Sequence, residues 1–369
     1  MAFSLGIIGL PNVGKSTLFN ALSNGGAEAA NYPFCTIEPN RSTIPVPDDR
    51  LQKLAPIFKP KKVTPTTLEF IDIAGLVKNA HRGEGLGNKF LSHIREVDAL
   101  IHIVRCFKSE KIAHIDGGID PVRDIETVNY ELILKDIETV SAQLSKARQK
   151  AKSGKREDLK IVSFLETLEK WLSEAHPASA FDPKGFTEDE IQLKKDLFLL
   201  TDKKQLIVAN VENSAEEALS EDGDFNKLKN YCEGESIPLI PVAAQLEAEI
   251  AELPEAERAG FYKEMGLSQS ALSRLIVAGY KTLNLITYFT GNQNELAART
   301  VQRGSDAVFA AGKIHTDFAK GFIRADVINA EELIKLGSLS AAREKGLIRG
   351  EGRNYIVEEG DVIQYFFNV

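Results

Sequence analysis

Cysteine is scarce in this chain of 369 residues, and its three cysteines lie far apart. Cys35, Cys106 and Cys232 are odd in number and form neither a CxxC pair nor a Cys/His cluster. This pattern argues against a disulfide framework and against a structural zinc site. Such cysteine usage is typical of a reducing compartment, so we expect a cytoplasmic location.

Long apolar runs and an excess of positive charge are also missing. No apolar stretch approaches the roughly 20 residues that span a bilayer, and residues 3–10 run straight into a glycine-rich loop without a preceding basic segment. We therefore expect neither membrane insertion nor a cleaved signal peptide. Lys and Arg total 45 against 53 Asp and Glu, a formal net charge of −8, so a nucleic-acid partner would need a local basic patch.

The composition is that of an ordinary globular protein, with 43% apolar and 27% charged residues. The length suggests two or three domains. Short apolar segments bounded by turn signals alternate with helical patterns, which predicts an α/β fold with a mostly parallel sheet. The predicted strands are 3–8, 67–71, 98–104, 205–211 and 237–242, and the predicted helices include 16–22 and 88–95.

A different pattern occupies residues 124–199. Apolar residues recur there at spacings of three and four, stop at residues 152–155, and then resume, which predicts an inserted antiparallel coiled-coil hairpin. The seam consists of Tyr130, Ile133, Ile137, Val140, Leu144, Ala147 and Ala151 before the break, and Ile161, Leu165, Leu168 and Leu172 after it.

After about residue 282 the strand and helix alternation ends. Two apolar runs, 354–357 and 362–367, flank a Gly360-Asp361 turn and predict a terminal β-hairpin. The chain is therefore divided into a sheet domain (1–123 and 200–282), the helical insertion (124–199) and a small α+β domain (283–369).

The strongest motif is GLPNVGKS at residues 9–16, a full match to the phosphate-binding loop, placed between a predicted strand and a predicted helix. Its backbone N–H groups surround phosphates, Lys15 adds charge at the β and γ positions, and the Ser16 hydroxyl reaches Mg²⁺. The motif predicts a nucleoside triphosphate bound with Mg²⁺.

Two further segments have the spacing of nucleotide-sensing switches. Asp72 follows the strand 67–71, where a P-loop enzyme supports Mg²⁺, and the N–H of Gly75 would sense the γ-phosphate. For a first switch, Thr36 and Thr43 are rival candidates for the hydroxyl on Mg²⁺.

The residue that activates water is not obvious from the motifs. Leu76 stands where Ras-type GTPases carry a glutamine, and an aliphatic side chain cannot orient water. Asn12 could help to hold a monovalent cation such as K⁺, and His81 or His114 could orient water. Both histidines are also compatible with an ordinary solvated loop.

The segment Asn210-Val211-Glu212-Asn213 stands where GTPases place NKxD, but the lysine and the terminal aspartate are missing. A bound guanine would therefore lack the carboxylate that usually accepts its hydrogen bonds. An amide at Asn213 matches the N6/N7 edge of adenine, or alternatively caps the next helix. Residues 243–245 occupy the position of the loop whose backbone usually touches the base.

These motifs, in this order, resemble the Obg-like ATPase family known as YchF, in the Obg branch of translation-factor-type P-loop NTPases. The resemblance covers essentially the whole chain, through GLPNVGKST, NYPFCTIEPN, DIAGLVKNAHRGEGLGNKFL, AGKIHTDFAKGFIRADV and EGRNYIVEEGDVIQYFFNV. It implies a central nucleotide domain, a coiled-coil insertion and a C-terminal TGS domain of β-grasp fold. It also implies slow hydrolysis of ATP in preference to GTP, and ribosomes or other RNA-containing partners.

The resemblance also implies roles for individual residues. Ser16 and Thr36 would ligate Mg²⁺, and Asn210 with the Val211 backbone would read the base. The catalytic candidates, Lys15, Asp72, Gly75 and His114, come from the motifs and from the search for a water-orienting residue. Glu212 departs from the family pattern, because the glutamate often found at the fourth motif position stands one place early here. The phosphates would be bound by Asn12, Val13, Gly14, Lys15, Ser16 and Thr17.

A partner surface is suggested by the predicted hairpin tip, where cations crowd the turn against only Glu157 and Asp158. RNA phosphates are one reading of this patch and a solvated turn is the other. A second basic cluster, of Arg343, Lys345, Arg349 and Arg353, lies in the C-terminal domain. We expect a monomeric Mg²⁺-dependent ATPase acting as a switch on the translation apparatus; an Obg-type GTPase and a nucleotide-stabilised binding module are the alternatives. The tip cations are Lys146, Arg148, Lys150, Lys152, Lys155, Arg156 and Lys160.

Overall fold

The computed structural model describes residues 3–25, 37–38, 40–73, 86–108, 118–212, 223–265, 267 and 269–368. The strands in this part of the chain are β1 (Phe3–Ile8), β2 (Ile37–Glu38), β3 (Arg41–Pro45), β4 (Lys62–Thr64), β5 (Thr67–Asp72), β6 (Ala99–Arg105), β7 (Lys204–Asn210), β8 (Leu239–Val242), β9 (Leu285–Gly291), β10 (Glu295–Gln302), β11 (Phe322–Asn329), β12 (Arg349–Glu351) and β13 (Asp361–Phe367).

The helices are α1 (Lys15–Gly25), α2 (Asp49–Phe58), α3 (Leu86–Glu96), α4 (Pro121–Ala151), α5 (Arg156–Ser173), α6 (Glu188–Asp196), α7 (Gly223–Gly234), α8 (Ala244–Glu252), α9 (Glu255–Glu264), α10 (Ala271–Thr282), α11 (Ala307–Gly312), α12 (Thr316–Lys320), α13 (Ala330–Leu336) and α14 (Leu339–Glu344). None of the helices in the described ranges is both long enough and apolar enough to cross a bilayer.

The first sheet has seven strands in the order β2-β3-β5-β1-β6-β7-β8. The five strands from β5 to β8 are parallel, whereas β3 and β2 add an antiparallel edge. All seven residues of β6 are buried, as expected for a central parallel strand with helices on both faces. The prediction of an α/β fold with a mostly parallel sheet is confirmed.

The two helices predicted between residues 124 and 199 are present as α4 and α5, which pack against each other. Asp120 caps α4 by accepting a hydrogen bond from the Arg123 N–H, and a proline occupies the first turn, where its missing N–H costs nothing. Most predicted seam residues are buried or half-buried, but Tyr130 is 54% exposed, so its assignment to the seam is wrong. An apolar residue is buried in such a seam only where the partner helix packs against the same turn.

The base of this insertion is anchored by a buried carboxylate. Asp136 on α4 accepts hydrogen bonds from the N–H groups of Leu200 and Thr201 at 2.7 and 2.8 Å, and from the Thr201 hydroxyl at 2.7 Å. Burial raises the pKa of Asp136, and these three donors oppose that rise. These hydrogen bonds fix residues 200 and 201, where the chain leaves the insertion and leads into β7.

The second sheet has the order β12-β11-β13-β9-β10-β4. Its last strand, β13, pairs antiparallel with β11 and parallel with β9. The predicted terminal hairpin is therefore wrong, and the residue Ile356 forms only an isolated bridge with Asp306. The two apolar runs satisfied the local pattern, but β11 and β9 supply the hydrogen-bonding edges that β13 takes.

Residues 49–64 pack with the second sheet, although they precede four of the seven strands of the first sheet in the sequence. Strand β4 pairs parallel with β10, and α2 buries Leu51, Leu54 and Phe58 against Phe289 and other residues of the second sheet. The predicted sheet domain of residues 1–123 thus sends one helix and one strand into the C-terminal unit. The chain crosses between the two sheets several times.

Candidate nucleotide-binding site

The phosphate-binding loop connects the end of β1 to the first turn of α1. Gly14 has a φ of +100°, and a Cβ there would lie 2.3 Å from Asn210 Nδ2. Gly9 has a φ of +152°, and a Cβ there would lie 2.4 Å from the Ile103 carbonyl. Both glycines are required by space as well as by backbone conformation, and together they let the loop turn tightly over the sheet.

Lys15 lies at the centre of this loop with its side chain buried. Its ammonium donates hydrogen bonds to the carbonyl oxygens of Gly9 and Leu10, at 3.1 and 2.8 Å. Burial lowers the pKa of Lys15 from 10.5 to about 8, and the nearby Asp72 partly opposes this. The loop thus holds a cation where the motif predicts phosphates.

Ser16 and Asp72 meet beside the loop. The Ser16 hydroxyl donates to Asp72 Oδ2 at 3.2 Å, while Asp72 Oδ1 is buried without a hydrogen-bond partner among the described residues. Burial raises the pKa of Asp72, and the Ser16 and Lys15 interactions lower it. A hydroxyl and an unpaired carboxylate oxygen form a hard oxygen donor set, which fits Mg²⁺.

The remaining phosphate-loop residues take different positions. Asn12 lies at the loop surface with a φ of +64°. Val13 is 1% exposed, so only its backbone is placed to contribute to binding. Thr17 is half-buried on the first turn of α1, where N–H groups at a helix N-terminus favour an anion.

Asn210 is buried at the end of β7 and is already engaged with the protein. Its Nδ2 donates to the Val13 carbonyl at 2.8 Å, and its Oδ1 accepts from the Ala244 N–H at 3.2 Å. The amide therefore ties the phosphate-binding loop to the start of α8. An amide nitrogen carries two hydrogens, so one N–H is left over beyond the Val13 contact.

The Val211 backbone, also predicted to face the base, takes part in the sheet. Its N–H donates to the Val242 carbonyl at 3.0 Å, and its side chain is buried. That N–H is used within the protein, so any base contact from Val211 would come from its carbonyl oxygen. Its role toward the base stays a prediction.

Several predicted site residues lie outside the described residues. They include the first-switch threonine, the γ-phosphate sensor and the water-orienting candidates. These residues are Thr36, Gly75, Leu76, His81, His114 and Asn213. Of the predicted site residues that the structure describes, Lys15, Ser16, Asp72 and Asn210 lie around the phosphate-binding loop.

One buried polar residue near the site was missed by sequence reasoning. His102 on β6 is fully buried, and neither ring nitrogen has a hydrogen-bond partner in the described part of the chain. Burial and then the charge of Lys15 lower the pKa of His102 to about 3, so the ring is neutral at pH 7. The feature of the sequence that could have identified His102 is its position as a lone histidine within the apolar run of residues 99–105.

The comparisons with known proteins cover the chain from end to end. The YchF-GTPase_C model, described as a protein of unknown function, matches residues 285–368, and the 50S ribosome-binding GTPase model matches residues 4–143. A Bacillus subtilis (strain 168) protein named ribosome-binding ATPase YchF is 48% identical over 100% of both chains. An Escherichia coli O157:H7 protein of the same name is 47% identical over 100% of both chains.

A solved structure agrees with these matches. The chain titled as the Schizosaccharomyces pombe YchF GTPase superposes with a TM-score of 0.85 at 34% identity, covering 99% of this chain and 97% of that one. Likeness at this level extends through both sheets and the helical insertion. The chain belongs to the YchF family.

Proposed function

We propose that this protein is a Mg²⁺-dependent ATPase that works as a nucleotide-controlled switch on the ribosome. The observation that carries this proposal is the convergence of Lys15, Ser16 and Asp72 at the glycine-rich loop. The family relatives named ribosome-binding ATPase support it over the full length of the chain.

The residues of the loop have separable roles in this reaction. Lys15 binds the β and γ phosphates through an ammonium that two backbone carbonyls already orient. Backbone N–H groups from residues 12–17 bind the remaining phosphate oxygens. When bound, Mg²⁺ would be held by Ser16 and Thr36, with Asp72 supporting the site through its contact with Ser16, and would neutralise charge on the β and γ phosphates.

Orientation of the attacking water is assigned within the same proposal. Leu76 cannot hydrogen-bond to water, so we assign water positioning to His114 and γ-phosphate sensing to the Gly75 N–H. A K⁺ ion beside Asn12 would add charge at the β and γ phosphates. The Gly75 assignment rests on motif position, and the His114 and Asn12 assignments rest on the need for groups that replace the missing glutamine.

The preference for ATP follows from the base motif. Guanine is normally recognised by a carboxylate that accepts hydrogen bonds from two of its N–H groups, and Asn213 replaces that carboxylate here. An amide offers one donor and one acceptor, which matches adenine. An Obg-type GTPase is not favoured by this motif or by the names of the relatives.

We place the ribosome contact at the tip of the helical insertion. All seven tip cations are exposed, including Lys150 at 74% and Arg148 at 59% of their side chains. Two of them make ion pairs: the Arg148–Glu166 pair is exposed on both sides, contributes little and exchanges readily for phosphate, whereas Lys150 pairs with the buried Asp158. The insertion thus presents cations at the end of a long helix pair projecting from an acidic protein.

The broader assignments belong to the same proposal. The insertion is a coiled-coil domain, residues 283–369 are a TGS-like domain that provides a second RNA-facing surface, and the nucleotide domain consists of residues 1–123 and 200–282 in an Obg-type arrangement. The protein acts as a cytoplasmic monomer. The entry of α2 and β4 into the second sheet supports a TGS-like unit that responds to the nucleotide domain.

Calorimetric titration with non-hydrolysable analogues of ATP and GTP tests the nucleotide assignment. We expect the ATP analogue to bind more tightly, and Lys15→Met to abolish binding of both. Single-turnover hydrolysis with and without ribosomes then tests the switch. Tight binding without any hydrolysis under either condition would instead identify a nucleotide-stabilised binding module.

A further inference from the structure

A cavity of about 330 Å³ lies apart from the nucleotide site, between the first sheet, α2 and the helices α8 to α10. Its contact with the nucleotide helix is Leu22, seven residues beyond Lys15, which is about 10 Å along α1. Pockets that bind small molecules in proteins begin at about this volume. The size and separation of the cavity allow a ligand other than the nucleotide.

Somewhat more than half of the cavity lining is apolar. Strand β3 and the residues after it, helix α2, strand β4 and helix α10 all contribute aliphatic side chains or prolines. Such a surface favours the burial of apolar ligand atoms. The main aliphatic contributors are Ile44, Val46, Leu51, Val63, Leu272 and Ile276.

Four charged side chains line the wall, and three of them, Asp48, Glu247 and Arg258, are hydrogen-bonded within the protein, whereas Asp49 is solvent-exposed. Both oxygens of Asp48 accept from Arg50, at 2.9 and 2.7 Å. The buried Glu247 accepts from the Tyr262 hydroxyl and the Ala271 N–H, each at 2.7 Å.

The arginine in the wall is also hydrogen-bonded within the protein. The Arg258 guanidinium donates to the carbonyls of Leu253 and Ala251, at 2.9 and 2.6 Å. A charged ligand would have to be desolvated against groups whose hydrogen bonds are already made within the protein, which is unfavourable. An uncharged ligand avoids this cost.

Helix α9 covers one side of the cavity and is weakly attached. None of its residues is buried, and it contributes only Arg258 and Tyr262 to the wall. Its side-chain hydrogen bonds to the body of the protein run from Tyr262 to Glu247 and from Arg258 to the carbonyls of Ala251 and Leu253. A helix without a packed apolar face gains little stability from tertiary packing. Segments that cover binding sites typically have such a low local stability.

We propose that this cavity binds a small, uncharged, largely apolar molecule, and that α9 is the cover that opens to admit it. The apolar part of the wall supplies the affinity, desolvation against Asp48, Glu247 and Arg258 disfavours ions, and the hydrogen bonds of Tyr262 and Arg258 hold the cover closed. The proposal is independent of the nucleotide assignment, because its residues lie outside the phosphate-binding loop.

Indole is a suitable probe because it is uncharged and apolar apart from one N–H group. In full-length protein with labelled isoleucine methyl groups, we expect saturable shifts of Ile44 and Ile276 on titration with indole. The charged analogues tryptamine and indole-3-acetate should bind about tenfold more weakly or not at all. Tyr262→Phe should accelerate exchange of indole, because the cover loses its hydrogen bond to Glu247.

Matched variants show whether the shifts arise in the cavity. Ala251→Phe fills the cavity and should abolish binding, whereas Ala256→Phe adds the same ring on the exposed face of α9 and should leave it intact. ATP affinity reports folding, and Val63→Phe replaces Ala251→Phe if the latter has lost ATP binding.

Three outcomes would overturn the proposal. Indole could fail to produce saturable shifts up to its solubility limit, or it could bind undiminished to a folded cavity-filled variant. The third outcome is that the Ile44 and Ile276 methyls shift only when ribosomes are added, which would assign the cavity to an apolar side chain of a macromolecular partner.

Discussion

The Asn210 side chain donates a hydrogen bond to the Val13 carbonyl across 2.8 Å, joining the end of β7 to a loop 197 residues earlier. The same amide accepts from the Ala244 N–H at 3.2 Å. One side chain therefore ties together three loops at the carboxyl edge of a parallel sheet, the edge where ligands of such folds bind. The closeness of Gly14 to Asn210 is part of this arrangement.

Asn210→Ala should weaken the phosphate-binding loop as a whole. It removes both hydrogen bonds and leaves the buried Val13 carbonyl and Ala244 N–H unpaired, so we expect a loss of about 1–3 kcal/mol in unfolding free energy. ATP and GTP affinities should fall by a similar factor, as measured by calorimetry beside urea denaturation. A loss confined to ATP would instead show that Asn210 acts mainly by reading the base.

Lys15 should make nucleotide affinity depend on pH. Burial lowers its pKa to about 8 in the unliganded protein, and bound phosphates raise it again, so the complex binds more protons above that pH. ATP affinity should be level below about pH 8 and fall by up to about tenfold per pH unit above it. Calorimetry in buffers of different ionisation enthalpy should detect proton uptake near pH 9.

The same buried ammonium should affect the stability of the unliganded protein. Between about pH 8 and 10.5 the unfolded chain binds more protons at Lys15 than the folded chain, so stability rises with pH in this window. Lys15→Met removes the buried charge and should raise the unfolding free energy at pH 7 by up to about 3 kcal/mol. An equal gain at pH 7 and pH 10 would contradict this origin.

Arg50 should couple α2 to the second sheet. It forms ion pairs with Asp48 on its own segment and with Glu359, 309 residues away, and it lies 5.2 Å from the Phe289 ring centre. Arg50→Ala should cost about 1–3 kcal/mol and increase proteolysis of residues 49–64.

The partner and the matched control sharpen this prediction. Glu359→Gln should cost less than about 1 kcal/mol, because Glu359 is 40% exposed. Lys53→Ala, on an exposed position of the same helix, should leave stability unchanged. Equal effects of Lys53→Ala and Arg50→Ala would show that helix charge, and not the contact, matters.

Reversal of charge at the hairpin tip should weaken ribosome binding. Replacing Lys150, Lys152, Lys155 and Arg156 by Glu removes cations that would neutralise RNA phosphates, so co-sedimentation should fall and its dependence on salt should become shallower. ATP affinity should not change.

The matched control changes the same amount of charge elsewhere. Four exposed lysines on other faces serve this purpose when replaced by Glu. Co-sedimentation that is equal for the two variants at every salt concentration would move the contact to the C-terminal cluster at Arg343 and Arg349. The control residues are Lys53, Lys227, Lys229 and Lys263.

Local patterns in the sequence predicted most strands of the first sheet and the helices of the insertion. Strand β1 occupies the predicted residues 3–8, β5 and β7 differ by one residue at their ends, and α4 and α5 lie on either side of the predicted break at 152–155. These features depend on side-chain periodicity and turn chemistry within a few residues. Lys15 and Ser16 likewise follow from a loop that is continuous in sequence.

Other features were decided only when distant segments met. The pairing of β13 with β11 and β9, the transfer of α2 and β4 to the second sheet, and the anchoring of Asn210 to Val13 each join residues far apart in sequence. The exposure of Tyr130 depends in the same way on which helix turn α5 reaches. A local pattern specifies that a strand or a polar side chain needs partners, but the packing of the whole chain decides which edge or atom becomes the partner.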